Sequence, residues 1–271
     1  MQTIDLTKGI GYSVIDFPDG EKHLVLKELN RKESVKVTCR ISNSDDLFLL
    51  MQLADILNRQ EVCVEKLSIL YLMGMRCDRL FSLEQPFSLK IVANVVNSLN
   101  AELVEVCEPH SEASLRLINN SFGTYLSPLP LTEDKIYCFP DKGAKERYSI
   151  CVEAKIKNPI TCSKVRDVST GRLTGFAIED KGDYKEGMEI IVVDDLCDGG
   201  GTFCGIVEQL RKLNPKSITL SVTHAVQRGG IVKTATVYDR VVITNSYKDW
   251  NLALLPDNVE LRDITSEEYV D

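Results

Sequence analysis

The residues best equipped for chemistry lie between positions 191 and 203. There Ile191-Val192-Val193-Asp194-Asp195-Leu196-Cys197-Asp198-Gly199-Gly200-Gly201-Thr202-Phe203 joins an apolar run to paired carboxylates, a glycine loop and the start of an amphipathic stretch. Three glycines ahead of a helix let backbone N–H groups close around an anion, and the helix dipole and the Thr202 hydroxyl add to that attraction. Asp194 and Asp195 stand just ahead of the loop, where they can accept hydrogen bonds from vicinal hydroxyls, directly or through a hard divalent cation. A phosphorylated sugar meets both requirements. Elsewhere, Lys164 and Arg166 are two residues apart, so an extended segment presents both on one side. Arg76 and Arg79 offer guanidinium groups suited to bidentate contacts with phosphate oxygens. His110, one of three histidines, closes an apolar run.

Two similar series of elements are expected to hold these residues. In the first, Val35–Ile41 reads as a strand. Ser44 is placed to cap a helix with apolar positions at Leu47, Leu50, Met51, Ala54 and Leu57. Leu67–Met73, a helix from Ser88 (Leu89, Val92, Val96 and Leu99 on one face) and Ala101–Cys107 complete a strand, helix, strand, helix, strand order. The pattern restarts at Ile136–Phe139, with a helix over Lys142–Ala154. Next comes Met188–Val193, an unbroken apolar run suited to a parallel strand buried on both faces. A helical stripe of Phe203, Ile206, Val207, Leu210 and Leu213 follows, then strands at Ser217–Val222 and Arg240–Thr244. Pro128, Pro130 and Glu133 interrupt the pattern over Leu126–Asp134, where two α/β units should join. In open α/β sheets ligands sit where strands end, which is where the motifs above fall.

Composition sets the outer limits. The 271 residues are 44% hydrophobic and 27% charged, the balance of a folded chain long enough for two domains. Thirty-two basic against forty acidic residues give a formal charge of −8, which argues against a nucleic-acid surface. No apolar run approaches the roughly 18 residues of a membrane span. Asp5, Lys8 and Asp16 stand where a signal peptide would be apolar. No membrane partner and a cytoplasmic location are therefore expected. The nine cysteines include no C-x-x-C pair, and Cys39, Cys107 and Cys138 lie in apolar runs, so most read as buried thiols of a reducing compartment.

The 191–203 string resembles the phosphoribosyl diphosphate (PRPP) loop shared by type I phosphoribosyltransferases and PRPP synthetases. Further strings resemble the ribose-phosphate diphosphokinase (PRPP synthetase) family over nearly the whole chain. Phe17-Pro18-Asp19-Gly20-Glu21 is similar to its adenine-binding turn. Arg76-Cys77-Asp78-Arg79 followed by Pro86–Lys90 is similar to its ATP-contacting R-Q-D-R segment and next helix. Glu108-Pro109-His110-Ser111 resembles D-L-H-S/A, whose histidine binds a catalytic Mg²⁺. Phe139-Pro140-Asp141-Lys142-Gly143 is similar to S-P-D-x-G, placing Asp141 near a second metal or the ribose. Thr161–Arg166 resembles the mobile K-x-R catalytic loop, with Gly171–Gly175 as its polar return, and Thr223-His224 and Thr244-Asn245-Ser246 also match family strings. Cys77 replaces Gln, and Glu108 replaces Asp.

The resemblance implies an α/β fold of two Rossmann-like, phosphoribosyltransferase-type domains with mostly parallel sheets. It divides the chain into 1–130 on the ATP side, 131–255 carrying the PRPP loop, and a 256–271 tail packing back on the first domain. It further implies transfer of the β,γ-diphosphate of MgATP to a ribose hydroxyl. Phe17, Asp19, Glu21, Arg76, Cys77, Asp78, Arg79 and His110 would bind ATP, His110 and Asp141 would hold Mg²⁺, and Lys164 and Arg166 would be catalytic. Asp194, Asp195, Asp198 and Gly199–Thr202 would bind the ribose phosphate, in a homo-oligomer, dimer or hexamer.

Gly199 stands where the family has Thr. The lost hydroxyl and bulk should leave a wider, less tightly bonded phosphate pocket. The acceptor is therefore expected to be ribose 5-phosphate or a 5-phosphoribosyl compound such as ADP-ribose, which some members of the wider group diphosphorylate in NAD rebuilding. Two alternatives stay open, a type I phosphoribosyltransferase that consumes PRPP and a catalytically silent regulatory homologue.

Overall fold

The structure, a computed structural model, describes residues 2–125, 132–152, 158–166 and 173–265. It divides into two compact units, Met1–Thr124 and Tyr125–Asp271. Both are layered α/β structures with mostly parallel sheets.

In the first unit β1 (Gln2–Asp5) precedes a hairpin, β2 (Tyr12–Asp16) and β3 (Lys22–Leu26). Then come β4 (Val35–Ile41), α1 (Ser44–Arg59), β5 (Val64–Leu72), α2 (Ser88–Asn97), β6 (Leu103–Cys107), α3 (Ala113–Leu117) and β7 (Ser121–Thr124). The main sheet runs β1-β4-β5-β6-β7, parallel throughout. Its centre is built from β-branched and leucine residues, among them Val35, Val37, Leu67 and Ile69, all buried. The hairpin pairs separately and docks on α1, where Gln52 accepts from the Leu24 N–H and donates to the Lys22 carbonyl, both at 2.7 Å.

The second unit holds β8 (Lys135–Phe139), α4 (Lys142–Val152), β9 (Ile160–Arg166), β10 (Leu173–Asp180), β11 (Glu189–Cys197) and α5 (Gly201–Arg211). It continues through β12 (Ser217–Ala225), α6 (Arg228–Ala235), β13 (Arg240–Thr244), a 3-10 turn at Leu252–Leu254 and β14 (Val259–Arg262). The strand order is β10-β9-β8-β11-β12-β13-β14, with only β9 and β10 antiparallel. Side-chain alternation splits the core in two. Ile136, Cys138, Ile190 and Val192 pack on the face covered by Phe203, Ile206 and Leu210 of α5. Tyr137, Phe139, Ile191 and Val193 pack on the opposite face with Ala144 and Tyr148 of α4.

Several expectations shift in detail. Asn43, not Ser44, caps α1, its Oδ1 accepting from the Asp45 and Asp46 N–H groups at 2.8 and 3.1 Å. Leu53 replaces Met51 on the buried face of that helix, Met51 being 47% exposed. Strand β11 does not end at the carboxylates but runs through them to Cys197, in register with β12 as far as Ala225. The segment expected as a tail contributes β14, paired in parallel with β13 of the second unit. Strands β9 and β10 pair antiparallel where a loop was expected, and residues 167–172 between them lie outside the described ones, as do 126–131 at the expected join. Of the eight cysteines described, Cys39, Cys107, Cys138, Cys162 and Cys197 are buried, whereas Cys63 and Cys77 are exposed. Burial pushes the Cys39, Cys107 and Cys138 thiols well up and Cys197 to about 12, so these four are poor nucleophiles. Among the described residues no helix is long and apolar enough to cross a membrane.

Candidate functional site

In the second unit the site begins with a charge problem. Asp195 shares the strand parity of Ile191 and Val193, so its side chain enters the face packed by α4 and is 2% exposed. A carboxylate there needs a cation, and α4 supplies Arg147. Its Nη1 lies 2.7 Å from Asp195 Oδ1 and 2.9 Å from Asp194 Oδ1. The neighbouring Tyr148 ring stacks on Phe139 at 6.0 Å between centroids, which fixes the helix over the strand. Burial, then the Asp195 charge, pushes the Asp194 carboxyl well up, while Arg147 opposes that rise. Burial also disfavours the Arg147 charge, but Asp195 and Asp194 outweigh it and raise the guanidinium pKa further.

The two carboxylates expected at the ligand thus differ in access. Asp195, its side chain 2% exposed, pairs with Arg147, whereas the Asp194 side chain is 16% exposed. Arg147 was missed because nothing in its spacing marks it. The available signal was indirect: a carboxylate at a core position of a buried strand requires a basic partner from a neighbouring element.

Near the start of the same helix, Asp141 Oδ1 accepts from the Ala144 N–H at 3.1 Å and Oδ2 meets Lys164 Nζ of β9 at 3.1 Å. Burial would raise the Asp141 pKa, but the Ala144 N–H, Lys164 and Arg147 together hold it below the usual carboxylate range. Asp141 is thus an ionised oxygen donor, about a third exposed. The structure brings together Lys164 and Asp141, and Arg147 with Asp194 and Asp195. Arg166 is the last residue of β9, and its side chain lies outside the described ones.

The glycine loop follows. Asp198 leads into Gly200, whose φ of +72° is left-handed and suits glycine, and α5 starts at Gly201 with no side-chain cap and no acid in its first turn. The first amides of an 11-residue helix are therefore not satisfied by any side chain at the N-cap, a ready anion site. Gly199 and Gly201 are exposed, and Thr202 is half-buried. Asp198 Oδ1 accepts from Gln227 Nε2 at 2.6 Å, a second partner not foreseen from sequence. Thr223 and His224 are buried, and His224 Nδ1 lies 2.9 Å from Ser246 Oγ, which donates to the Thr223 carbonyl. They brace the ends of β12 and β13.

In the first unit the residues expected to bind the nucleotide stand on separate supports. Phe17–Glu21 forms the hairpin turn, closed by Phe17 N–H to Glu21 O at 2.8 Å, with Gly20 at φ +93°. Phe17 is 43% exposed and its ring lies 6.1 Å from that of His23, leaving aromatic surface for a base. Asp19 accepts from the Glu21 N–H. Arg76–Arg79 follow β5 and His110 follows β6, neighbouring parallel strands, so both loops lie at one carboxyl edge. Arg79 pairs with Asp78 at 3.5 Å and sits over the Phe81 ring at 5.5 Å. Cys77 is exposed. Glu108, which stands where the family has Asp, is fully buried at a positive φ of 45°. Among the described residues no three His, Cys, Asp or Glu side chains converge to hold a metal.

The chain is similar to several known proteins. The phosphoribosyl transferase domain family matches residues 152–256. A ribose-phosphate pyrophosphokinase of Pyrococcus furiosus is 28% identical over 239 residues, covering 85% of this chain and 84% of its own. Ribose-phosphate pyrophosphokinase 2 of Archaeoglobus fulgidus is 30% identical over 217 residues, 78% of this chain and 74% of its own. The crystal structure of phosphoribosylpyrophosphate synthetase from Mycobacterium smegmatis superposes with a TM-score of 0.71 at 17% identity, covering 93% of this chain and 86% of that one.

Replacing Arg147 by Met leaves two buried carboxylates without their cation and should cost roughly 3–5 kcal/mol in urea unfolding. Adding Asp195→Asn to that variant should restore most of the loss; an unchanged midpoint in the single variant would show the pair to be unimportant.

Proposed function

Because this chain belongs to the ribose-phosphate pyrophosphokinase family, we propose that it transfers the β,γ-diphosphate of ATP to the anomeric hydroxyl of ribose 5-phosphate or a 5-phosphoribosyl compound. The C1 hydroxyl oxygen bonds to the β-phosphorus as the bond from that phosphorus to the bridging oxygen of the α-phosphate breaks. AMP leaves with the bridging oxygen, and the hydroxyl proton passes to solvent. The observation that carries this reading is the uncapped start of α5 behind the left-handed Gly200, two residues after Asp198. It supports a phosphate held by the Gly201 and Thr202 amides, with Asp194 accepting from a sugar hydroxyl.

Lys164 is the residue to which we assign stabilisation of the transferred phosphates, with Arg166 beside it on β9. Its ion pair with Asp141 is about a third exposed on each side, so exchanging the carboxylate for a nucleotide phosphate costs little. Phe17 would stack on the adenine and Arg76 and Arg79 would take phosphate oxygens. Mg²⁺, the metal this chemistry implies, would find in Asp141 of the second unit a hard, ionised oxygen donor; His110 of the first unit is a metal ligand by resemblance alone. Magnesium commonly keeps one or two carboxylates and completes its shell with phosphates and water, which Asp141 suits. When bound, it neutralises phosphate charge.

An acceptor larger than ribose 5-phosphate is favoured by one observation. A side chain on Gly199 would meet nothing within 4 Å, and φ there is not left-handed, so the missing Thr leaves open space at the phosphate end. ADP-ribose, and with it a part in NAD rebuilding, is the second reading.

Incubation with MgATP should form AMP only when an acceptor is present; ADP as the product, or no turnover with ribose 5-phosphate or ADP-ribose, would overturn the proposal. Lys164→Ala should lower kcat by about 10²–10³-fold while leaving ATP affinity nearly unchanged. Gly199→Thr should lower the KM for ribose 5-phosphate and raise that for ADP-ribose, measured side by side; equal shifts for both would remove Gly199 as the discriminating position.

A further inference from the structure

Helix α6 lies directly behind the glycine loop, backbone against backbone. A methyl group built on Gly230 would stand 1.8 Å from the Asp198 carbonyl oxygen and 3.2 Å from the Gly199 carbonyl carbon. One built on Gly200 would stand 2.8 Å from the Gly230 carbonyl oxygen and 3.0 Å from Thr234 Cγ2. Two glycines on different elements thus face each other with room for no Cβ on either. The neighbouring Gly229, in the same turn of α6, would meet nothing within 4 Å. Two hydrogen bonds fix the junction from the side. Val226 N–H donates to the Cys197 carbonyl at 2.9 Å, and Gln227, which precedes the helix, donates Nε2 to Asp198 Oδ1 at 2.6 Å.

We propose that Gly230 and Gln227 are positioning residues of the acceptor site, acting through Asp198 and Gly199–Gly201 to set where the loop amides stand and which way the Asp198 carboxylate turns. The inference rests on the reading of this loop as the sugar-phosphate site. Loop amides bind an anion well only if they converge on it before it arrives, because reorganising them costs binding energy. The loop has no side chains at Gly199, Gly200 and Gly201 with which to pack, so its position must come from the surface it lies on. That surface is the first turn of α6. Gln227 adds a second control, since a carboxylate two residues ahead of a phosphate-binding turn repels the phosphate if it swings inward, and the amide restrains one of its oxygens.

Nothing about Gly230 or Gln227 touches the nucleotide in this reading, so the effect should be confined to one substrate. The test compares Gly230→Ala, Gly229→Ala and Gln227→Leu with the parent chain, by calorimetric binding of ribose 5-phosphate, by initial rates in each substrate, and by thermal unfolding. Gly230→Ala should weaken ribose 5-phosphate binding and raise its KM by about tenfold or more with the KM for ATP nearly unchanged. Gln227→Leu should act in the same direction by a few-fold, and Gly229→Ala should match the parent in every measurement. Equal behaviour of Gly229→Ala and Gly230→Ala, a parallel rise in both KM values, or a lower melting temperature with unaltered acceptor binding overturns the proposal. If Gly230→Ala does not fold, Gln227→Leu decides it: unchanged acceptor binding is a refutation. A parent chain that binds neither ribose 5-phosphate nor ADP-ribose refutes the underlying site as well, whereas binding that is indifferent to these substitutions refutes only the positioning role.

Discussion

A carboxylate pair set in a buried strand needs a positive charge at close range, and the second unit is organised around meeting that need. Asp195 is carried into the sheet by strand parity, and Arg147 meets it from α4 at 2.7 Å. The same guanidinium reaches Asp194, so one cation serves two carboxyl groups. Removing water from such a group is costly, and the cost is recovered only if the geometry is well fixed. Stacking of Tyr148 on Phe139 and the Ala144 N–H bond to Asp141 fix the helix that carries Arg147. Asp141, which directly precedes that helix, holds Lys164 of β9, so the two charged halves of the site are not independent.

The glycine loop is governed by a different constraint, the absence of side chains. Its left-handed Gly200 turns the chain into α5 without a capping residue, leaving amides that suit an anion. Its own packing comes from Gly230 and Gln227 of the following βα connection. In the proposed reading, charge positions the hydroxyl-binding side, and backbone contact positions the phosphate-binding side. The division is consistent with an acceptor that is anionic at one end and rich in hydroxyls at the other.

How far the sequence revealed this depends on how local each signal is. Strands β4 and β13 and the start of α2 emerge at their observed bounds because continuous apolar runs and helical periodicity are local properties. Strands β1, β7 and β14 are four residues each at or near sheet edges, and β9–β10 carries too many polar residues to show a period, so none was read as a strand. Met51 and Leu53 exchange roles on α1 because both lie near the boundary of the apolar stripe and packing alone separates them. The motif residues were found by type and spacing, but their partners were not. Arg147, Gln227 and Gly230 are joined to the motif only through the sheet, and each occupies a position that looks ordinary along the chain.

The most direct measurement is a crystal structure with ribose 5-phosphate bound. Its phosphate should lie within hydrogen-bonding distance of the Gly201 and Thr202 amides, with a sugar hydroxyl on Asp194 and with Asp195 still on Arg147. A phosphate bound elsewhere, or a sugar that displaces Arg147 to reach Asp195, would refute the assignment of this loop and its carboxylates.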